Sequence, residues 1–114
     1  MSTAGDSSSE NADKYFLISL KVVPGRTMSA GVLGFHAAHL SDLDRSGRLV
    51  LAGPILERLG GLIVLRVASL ADAMAVAEED PLVRGGYQTY ELGTWLMSNR
   101  QNGYRPDQQE EHQK

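Results

Sequence analysis

The stretch HAAHLSDLDRSGRLVLAGP, residues 36–54, contains the second half of a predicted helix, a turn and a short predicted strand. The helical spacing of apolar residues covers about residues 29–45, and Gly47 suits the position that follows a helix. The apolar run after Gly47 is typical of a strand, and a Gly-Pro pair ends it. The stretch therefore predicts a helix leading into a strand, and the helix carries two histidines, His36 and His39.

Similar patterns on either side predict three more strands and a second helix. In KYFLISLKVV, residues 14–23, alternate side chains point to opposite faces, as in a strand. LIVLRVAS and YQTYELGTWLM predict the third and fourth strands. LADAMAVAEED predicts a helix that Ser69 caps and Pro81 ends. The order is β-α-β-β-α-β, the α+β ferredoxin-like arrangement with two helices on one face of a four-stranded antiparallel sheet.

The composition is that of one globular domain. The chain has 114 residues, of which 42% are apolar and 22% are charged. The Ser-rich start and the polar end contain too few apolar residues to form a packed core. We therefore predict a disordered N-terminal tail at residues 1–13, a folded domain at residues 14–97 and a polar C-terminal tail at residues 98–114.

Charge and hydropathy argue against several classes of protein. The net charge is −3 and no basic stripe is evident, so we expect no nucleic-acid partner. No apolar run reaches the ~18 residues of a membrane span, and the first residues do not resemble a signal peptide. These features favour a cytoplasmic protein without a membrane partner. The chain has no cysteine, which excludes thiolate catalysis and zinc–sulfur sites.

Apolar residues on both faces of the predicted sheet indicate a partner. Leu17 alternates with Phe16 and Ile18, and Val64 alternates in the same way with its neighbours. Two helices can cover only one face of the sheet. We therefore predict a homodimer in which two sheets pack face to face. The alternative is a curled monomeric sheet covered by the tails.

Two polar residues on the predicted helices carry the candidate chemistry. His39 lies at the centre of the apolar arc of the first helix, and Asp80 projects from the same face of the second helix as Ala73. A carboxylate that accepts from one imidazole nitrogen leaves the other as a general base near neutral pH. His39 and Asp80 are the predicted catalytic pair. The alternatives are a hydrogen-bonded core histidine and an ordinary Asp-Pro turn.

Three further residues are candidates for substrate binding. His36 lies one turn before His39, so we expect it to line a pocket or to bond a backbone carbonyl. A metal held by both histidines is a third possibility, but no further ligands are evident, and we expect no metal site. Arg66 and Tyr87 also belong to this group, with strand packing as the alternative. Because Gly-rich nucleotide motifs and serine-hydrolase motifs are absent, we expect no cofactor.

A set of spaced residues resembles a known family. The pattern consists of His39-Leu40, Leu43, Gly47, Leu49, Gly53-Pro54 and Asp80-Pro81. It resembles the YciI-like family of YCII-related domains over about residues 15–95. The resemblance implies a dimeric α+β barrel fold and a His–Asp active site at His39 and Asp80. It departs from the family at His36, where an arginine or another basic residue is common.

The resemblance also implies a class of reaction. One family relative eliminates chloride from a chlorinated hydroxyquinol, and the fold is similar to that of muconolactone isomerases. The sequence thus predicts a cofactor-independent lyase, isomerase or cyclase that acts on a phenolic, quinone or lactone-like metabolite. His39 would transfer the proton and Asp80 would orient it. The alternative is a non-catalytic dimer that binds a ligand or acts as an accessory protein.

Overall fold

The structure, a computed structural model, describes residues 14–106. Its elements are β1 (Lys14–Val22), α1 (Ala30–Arg45), β2 (Leu49–Pro54), β3 (Gly60–Leu65), α2 (Leu70–Glu79), α3 (Pro81–Arg84) and β4 (Gln88–Leu96). The predicted α+β order is confirmed, with one addition. Pro81 ends α2 as predicted, but it also occupies the first turn of the short helix α3, where its fixed φ suits a helix start.

The four strands form one antiparallel sheet in the order β2-β3-β1-β4. β1 and β3 are therefore central, and β2 and β4 are the edges. The pairing of β2 with β3 shifts register between Leu49 and Leu51. Because of this irregularity, Leu49 and Ala52 both contact the core, although they are an odd number of residues apart.

The hydrophobic core lies between the helices and one face of the sheet. Its buried members are Phe16, Ile18, Leu20, Leu43, Ile63, Leu65, Ala73, Val76 and Ala77. They follow the predicted alternation in the strands, and the three from α2, Ala73, Val76 and Ala77, recur at helical spacing, whereas α1 contributes Leu43. Ala73 and Ala77 have small side chains, which let α2 lie close to the sheet.

Short polar residues fix where the helices begin. The Ser29 side chain accepts from the backbone N–H of Val32 at 3.1 Å, and the Ser69 side chain does the same for Asp72 at 3.1 Å. Asp80 ends α2 and caps the start of α3. Its extended backbone, with φ −66° and ψ 126°, is the conformation that a following proline favours. Asp80 is therefore held at the junction of two helices.

The other sheet face, which we call the open face, carries Tyr15, Leu17, Leu51, Val64 and Trp95. Tyr15 and Val64 are buried there, and the rings of Tyr15 and Trp95 lie 6.3 Å apart. Leu51 is 58% exposed and Trp95 is 44% exposed. No helix of residues 14–106 packs on this face. Its apolar side chains contact one another, and the Arg66 guanidinium lies over the Tyr15 ring.

The predicted tails fall largely outside the described residues. Residues 1–13 and 107–114 lie beyond them, and the predicted domain limits stay predictions. Within the described part, a turn follows β4. The Asn102 amide donates to the Met97 carbonyl at 2.9 Å and stabilises this turn. Within residues 14–106, no helix has the length and apolar character needed to cross a bilayer.

Candidate active site

A cavity of about 400 Å³ lies between α1 and the helix-covered face of the sheet. Its wall is largely aliphatic and includes Leu20, Leu33, Leu40 and Ile63. Glycine and proline backbone from the β2–β3 hairpin completes it. This volume is in the usual range for small-molecule sites. Among the described residues that line it, only His36 and Gln88 carry side-chain nitrogen or oxygen.

His36 connects the cavity to a buried carboxylate. Its Nδ1 atom lies 3.0 Å from Oδ1 and 2.9 Å from Oδ2 of Asp80. The His36 side chain is 19% exposed, whereas that of Asp80 is fully buried. Because a carboxylate accepts, Nδ1 carries the donated hydrogen in this contact. The second ring nitrogen, Nε2, is therefore the one that can exchange a proton with a bound molecule.

Asp80 is held by more than His36. Its Oδ1 atom also accepts from the backbone N–H of Leu82 at 2.9 Å, and its own N–H donates to the Ala77 carbonyl at 3.2 Å. A buried carboxylate is stable only when its oxygens are hydrogen-bonded. The α2–α3 junction supplies those partners and fixes the carboxylate against the imidazole.

The expected contact between His39 and Asp80 is not formed, because His36 occupies that position. His39 is half-buried on α1, and its Nε2 atom is buried without a hydrogen-bond partner within residues 14–106. The α-helix rises ~1.5 Å per residue, so His39 lies ~4.5 Å farther along the axis than His36. Helical spacing placed both rings on the inward arc, but the axial level of the α2–α3 junction decides which one meets Asp80.

The other two predicted substrate-binding residues lie away from the cavity wall. Arg66 follows β3, and its guanidinium lies 5.5 Å from the Tyr15 ring, on the open face. Tyr87 packs under the guanidinium of Arg26 at 4.4 Å, and Arg26 also donates to the Gly85 carbonyl at 3.0 Å. Strand alternation directs Arg66 to the opposite face of the sheet. Tyr87 precedes β4 and forms part of a turn contact instead.

Sequence reasoning missed Gln88, the first residue of β4. Its side chain is 6% exposed and lines the cavity. Gln88 shares strand parity with Tyr90 and Leu92, which contact the core. A polar residue at an inward strand position was the signal that would have identified it.

The glycines of the β2–β3 hairpin form part of the cavity wall. Gly60 has φ +121°, and a Cβ there would collide with the Leu20 carbonyl oxygen. A Cβ on Gly61 would lie 2.9 Å from the Gly53 carbonyl oxygen. These glycines let the hairpin backbone approach β1 and β2 closely.

The metal alternative involved His36 and His39 alone, and it stays an untested alternative. Within residues 14–106, no group of three or more histidine, aspartate or glutamate side chains is placed to hold a metal ion. His36 uses Nδ1 for Asp80. The two histidines therefore differ in environment: His36 Nδ1 contacts Asp80, whereas His39 Nε2 is buried without a partner within residues 14–106.

The sequence matches the YCII-related domain over residues 15–96, which is most of the chain. The chain belongs to the YCII-related domain family. The uncharacterized protein YjpA of Bacillus subtilis (strain 168) is 33% identical over 64 residues, which span 54% of this chain and 75% of that protein. The predicted family is confirmed.

A solved structure has a similar fold. It is 5-chloro-2-hydroxyhydroquinone dehydrochlorinase from Burkholderia phenoliruptrix AC1100, in complex with 2,5-dihydroxybenzoquinone. The TM-score is 0.54 at 21% sequence identity, over 71% of this chain and 92% of the dehydrochlorinase. The likeness confirms the predicted fold class, a ferredoxin-like α+β domain.

Proposed function

We propose that this YCII-related domain is a cofactor-independent enzyme of lyase, isomerase or cyclase type, and that His36 and Asp80 are its general acid/base pair. The observation that carries the proposal is the 2.9 Å contact between His36 Nδ1 and Asp80 Oδ2 at the wall of an apolar cavity. Asp80 fixes the ring and the position of its proton. His36 Nε2 then takes a proton from the substrate.

The same pair accounts for several outcomes of one proton abstraction. After Nε2 takes the proton, the substrate can expel a leaving group, which is elimination. It can instead receive the proton back at another atom, which is isomerisation. The charge that forms on the ring lies beside the buried carboxylate of Asp80 and is stabilised by it. General acid/base catalysis of this kind contributes ~10²–10⁴ to a rate.

The cavity supports a small and largely apolar substrate. None of the described lining residues is aspartate, glutamate, lysine or arginine. An anionic substrate, such as a phosphate or a carboxylate, would meet no lysine or arginine among these residues. The dehydrochlorinase of similar fold is named for a chlorinated hydroxyhydroquinone. We therefore assign a phenolic, quinone or lactone-like substrate.

We also propose that the chain is a homodimer through the open face. Leu51 and Trp95 are exposed there beside Tyr15 and Val64, which are already buried. A second copy would cover this surface by two-fold symmetry. In such a dimer, the open face of each sheet would be covered by its partner, which would brace the sheet beneath the cavity.

The test is turnover by purified protein and four variants. Substrates are 5-chloro-2-hydroxyhydroquinone, followed by chloride release, and unhalogenated hydroxyquinones and lactones, followed by absorbance. His36→Asn keeps a donor near the Nδ1 position but removes the base. Asp80→Asn removes the carboxylate, His39→Asn makes the same change one turn away, and Ser41→Ala is an exposed control on α1.

We expect His36→Asn to lower kcat by about 100-fold or more, and Asp80→Asn to lower it in the same direction. His39→Asn and Ser41→Ala should stay within about threefold of the wild-type kcat. Loss of turnover in His39→Asn with normal turnover in His36→Asn would return the catalytic role to His39. If the wild type binds the substrates tightly but turns over none of them, the protein is a ligand-binding dimer and not an enzyme.

A further inference from the structure

Gln88 is a buried amide on the cavity wall that the proposed proton transfer does not use. It is 6% exposed and lines the same cavity as His36. It lies opposite Val22, another cavity residue, in the β1–β4 pairing. Its position is thus set by the sheet and not by a loop.

The two ends of the Gln88 amide have different surroundings. Its Nε2 atom lies 3.4 Å from the sulfur of Met28, which can only accept a hydrogen bond. This contact orients the amide nitrogen toward Met28. Its Oε1 atom is buried and has no hydrogen-bond partner within residues 14–106. A buried acceptor without a donor costs free energy that a bound donor would recover.

Among the described residues that line the cavity, only His36 has another side-chain nitrogen or oxygen, and its Nδ1 is bonded to Asp80. The cavity residues near it in sequence and register, Leu20, Val22 and Leu82, have aliphatic side chains. A ligand that fills the cavity therefore meets one base, His36, and one acceptor, Gln88, in an otherwise apolar space. Two separate polar points of this kind fix the orientation of a small ring.

We propose that Gln88 is a specificity-determining residue whose Oε1 accepts a hydrogen bond from a substrate hydroxyl. This inference rests on the proposed function, because it names the substrate class of the same site. The substrate is a neutral ring that carries a hydroxyl in addition to the group from which His36 takes a proton. An analogue that lacks this hydroxyl leaves Oε1 unpaired and binds more weakly. Sites built around a buried polar partner discriminate in this way far more strongly than apolar pockets do.

The test measures binding of two matched probes by titration calorimetry. Hydroquinone and 4-methylphenol have the same shape, but a methyl group replaces one hydroxyl in the second. The variants are Gln88→Met, which keeps the length and removes the amide, and Gln88→Glu, which keeps an acceptor oxygen. Gln101→Met makes the first change at an exposed glutamine in the turn after β4.

We expect the wild type and Gln101→Met to bind hydroquinone at least about tenfold more tightly than 4-methylphenol. Gln88→Met should lose this preference through weaker hydroquinone binding, with 4-methylphenol affinity within about threefold. Gln88→Glu should retain the preference. Thermal unfolding of each variant shows whether it is folded. If Gln88→Met is not folded, the comparison of Gln88→Glu with the wild type tests the inference.

The outcomes separate this inference from the proposed function. An unchanged preference in folded Gln88→Met overturns the role of Gln88 and leaves the phenolic site standing. Loss of the preference in folded Gln88→Glu overturns the assignment of Oε1 as an acceptor. Failure of the wild type to bind either probe overturns the phenolic substrate class and the Gln88 inference together.

Discussion

The two faces of the sheet carry similar apolar side chains but are completed in different ways. On the helix-covered face, Ile18 and Leu65 are fully buried, and the buried carboxylate of Asp80 has partners for both oxygens. On the open face, Leu51 and Trp95 remain exposed. The helices of the same chain cover the first face and supply hydrogen-bond partners for the buried Asp80 carboxylate. Within residues 14–106 the open face has no comparable cover, and the alternation of apolar residues alone does not distinguish the two faces.

Among the substitutions on the helix-covered face, Asp80→Ala should lower the free energy of unfolding the most. It removes the cap of α3 and leaves His36 Nδ1 and the Leu82 N–H without their partner. Removing one member of a buried pair costs about 3–5 kcal/mol, and we expect a loss of that size in the free energy of unfolding. Urea denaturation followed by circular dichroism measures it.

The matched control is Asp42→Ala on α1. Asp42 lies 3.4 Å from Arg45, and both side chains are mostly exposed. Exposed pairs contribute little, so this change should stay within about 0.5 kcal/mol. If both variants lose the same free energy of unfolding, the burial of Asp80 does not determine how much it contributes to stability.

Gly60→Ala should have the second largest effect on the same face. The new Cβ would meet the Leu20 carbonyl at a φ that side chains rarely adopt, so the hairpin must move away from β1. We expect a destabilisation of about 1–3 kcal/mol, measured by thermal unfolding. Gly53→Ala, where a Cβ meets nothing within 4 Å, is the control. A Gly60→Ala variant as stable as Gly53→Ala would contradict the close approach.

Leu51→Glu tests the open face. Leu51 is an exposed apolar residue of the open face, on the edge strand β2. A charge introduced there would lack a partner in a sheet–sheet interface and would stay hydrated only in the monomer. We expect the dimer dissociation constant to rise by at least about 30-fold, measured by sedimentation equilibrium. Met74→Glu introduces the same charge at an exposed apolar residue of α2 and should leave the association unchanged. A monomeric wild type would remove the proposed interface altogether.

The smallest expected effect is a pH dependence of stability that comes from Tyr90, on the helix-covered face. Its hydroxyl donates to Glu78 at 2.8 Å. This hydrogen bond raises the pKa of Tyr90 above 10.0, and reduced hydration and the charge of Glu78 raise it further. The bond stabilises the folded chain fully below the unfolded pKa of 10.0, and that contribution is lost as the pH rises through the higher folded pKa.

Ultraviolet titration of the phenolate measures this shift. Glu78→Gln should lower the midpoint of Tyr90, whereas Glu91→Gln, at an exposed position of the same strand, should leave it unchanged. A midpoint of Tyr90 that does not respond to Glu78→Gln would mean that the hydrogen bond does not form in solution.

The sequence predicts the strands and long helices well because their signals are local. Alternation in β1 and helical spacing in α1 each depend on a few neighbouring residues. The site depends on the relative level of two helices, which no local pattern contains. The sequence therefore proposed Asp80 and both histidines as candidates and paired Asp80 with His39, whereas the structure places His36 against Asp80. Gln88 was overlooked because a single polar residue in an apolar strand resembles a surface position until the other layer is known.

The double role of Asp80 limits how this domain can acquire new chemistry. Its carboxylate contacts His36 and also caps the start of α3, so a variant that changes the proposed acid/base pair also weakens the chain. Gln88 and the aliphatic wall have no such second task. If the substrate of this domain changes during evolution, we therefore expect the substitutions at the residues of the cavity wall. His36 and Asp80 should stay the same, because changing them also costs stability.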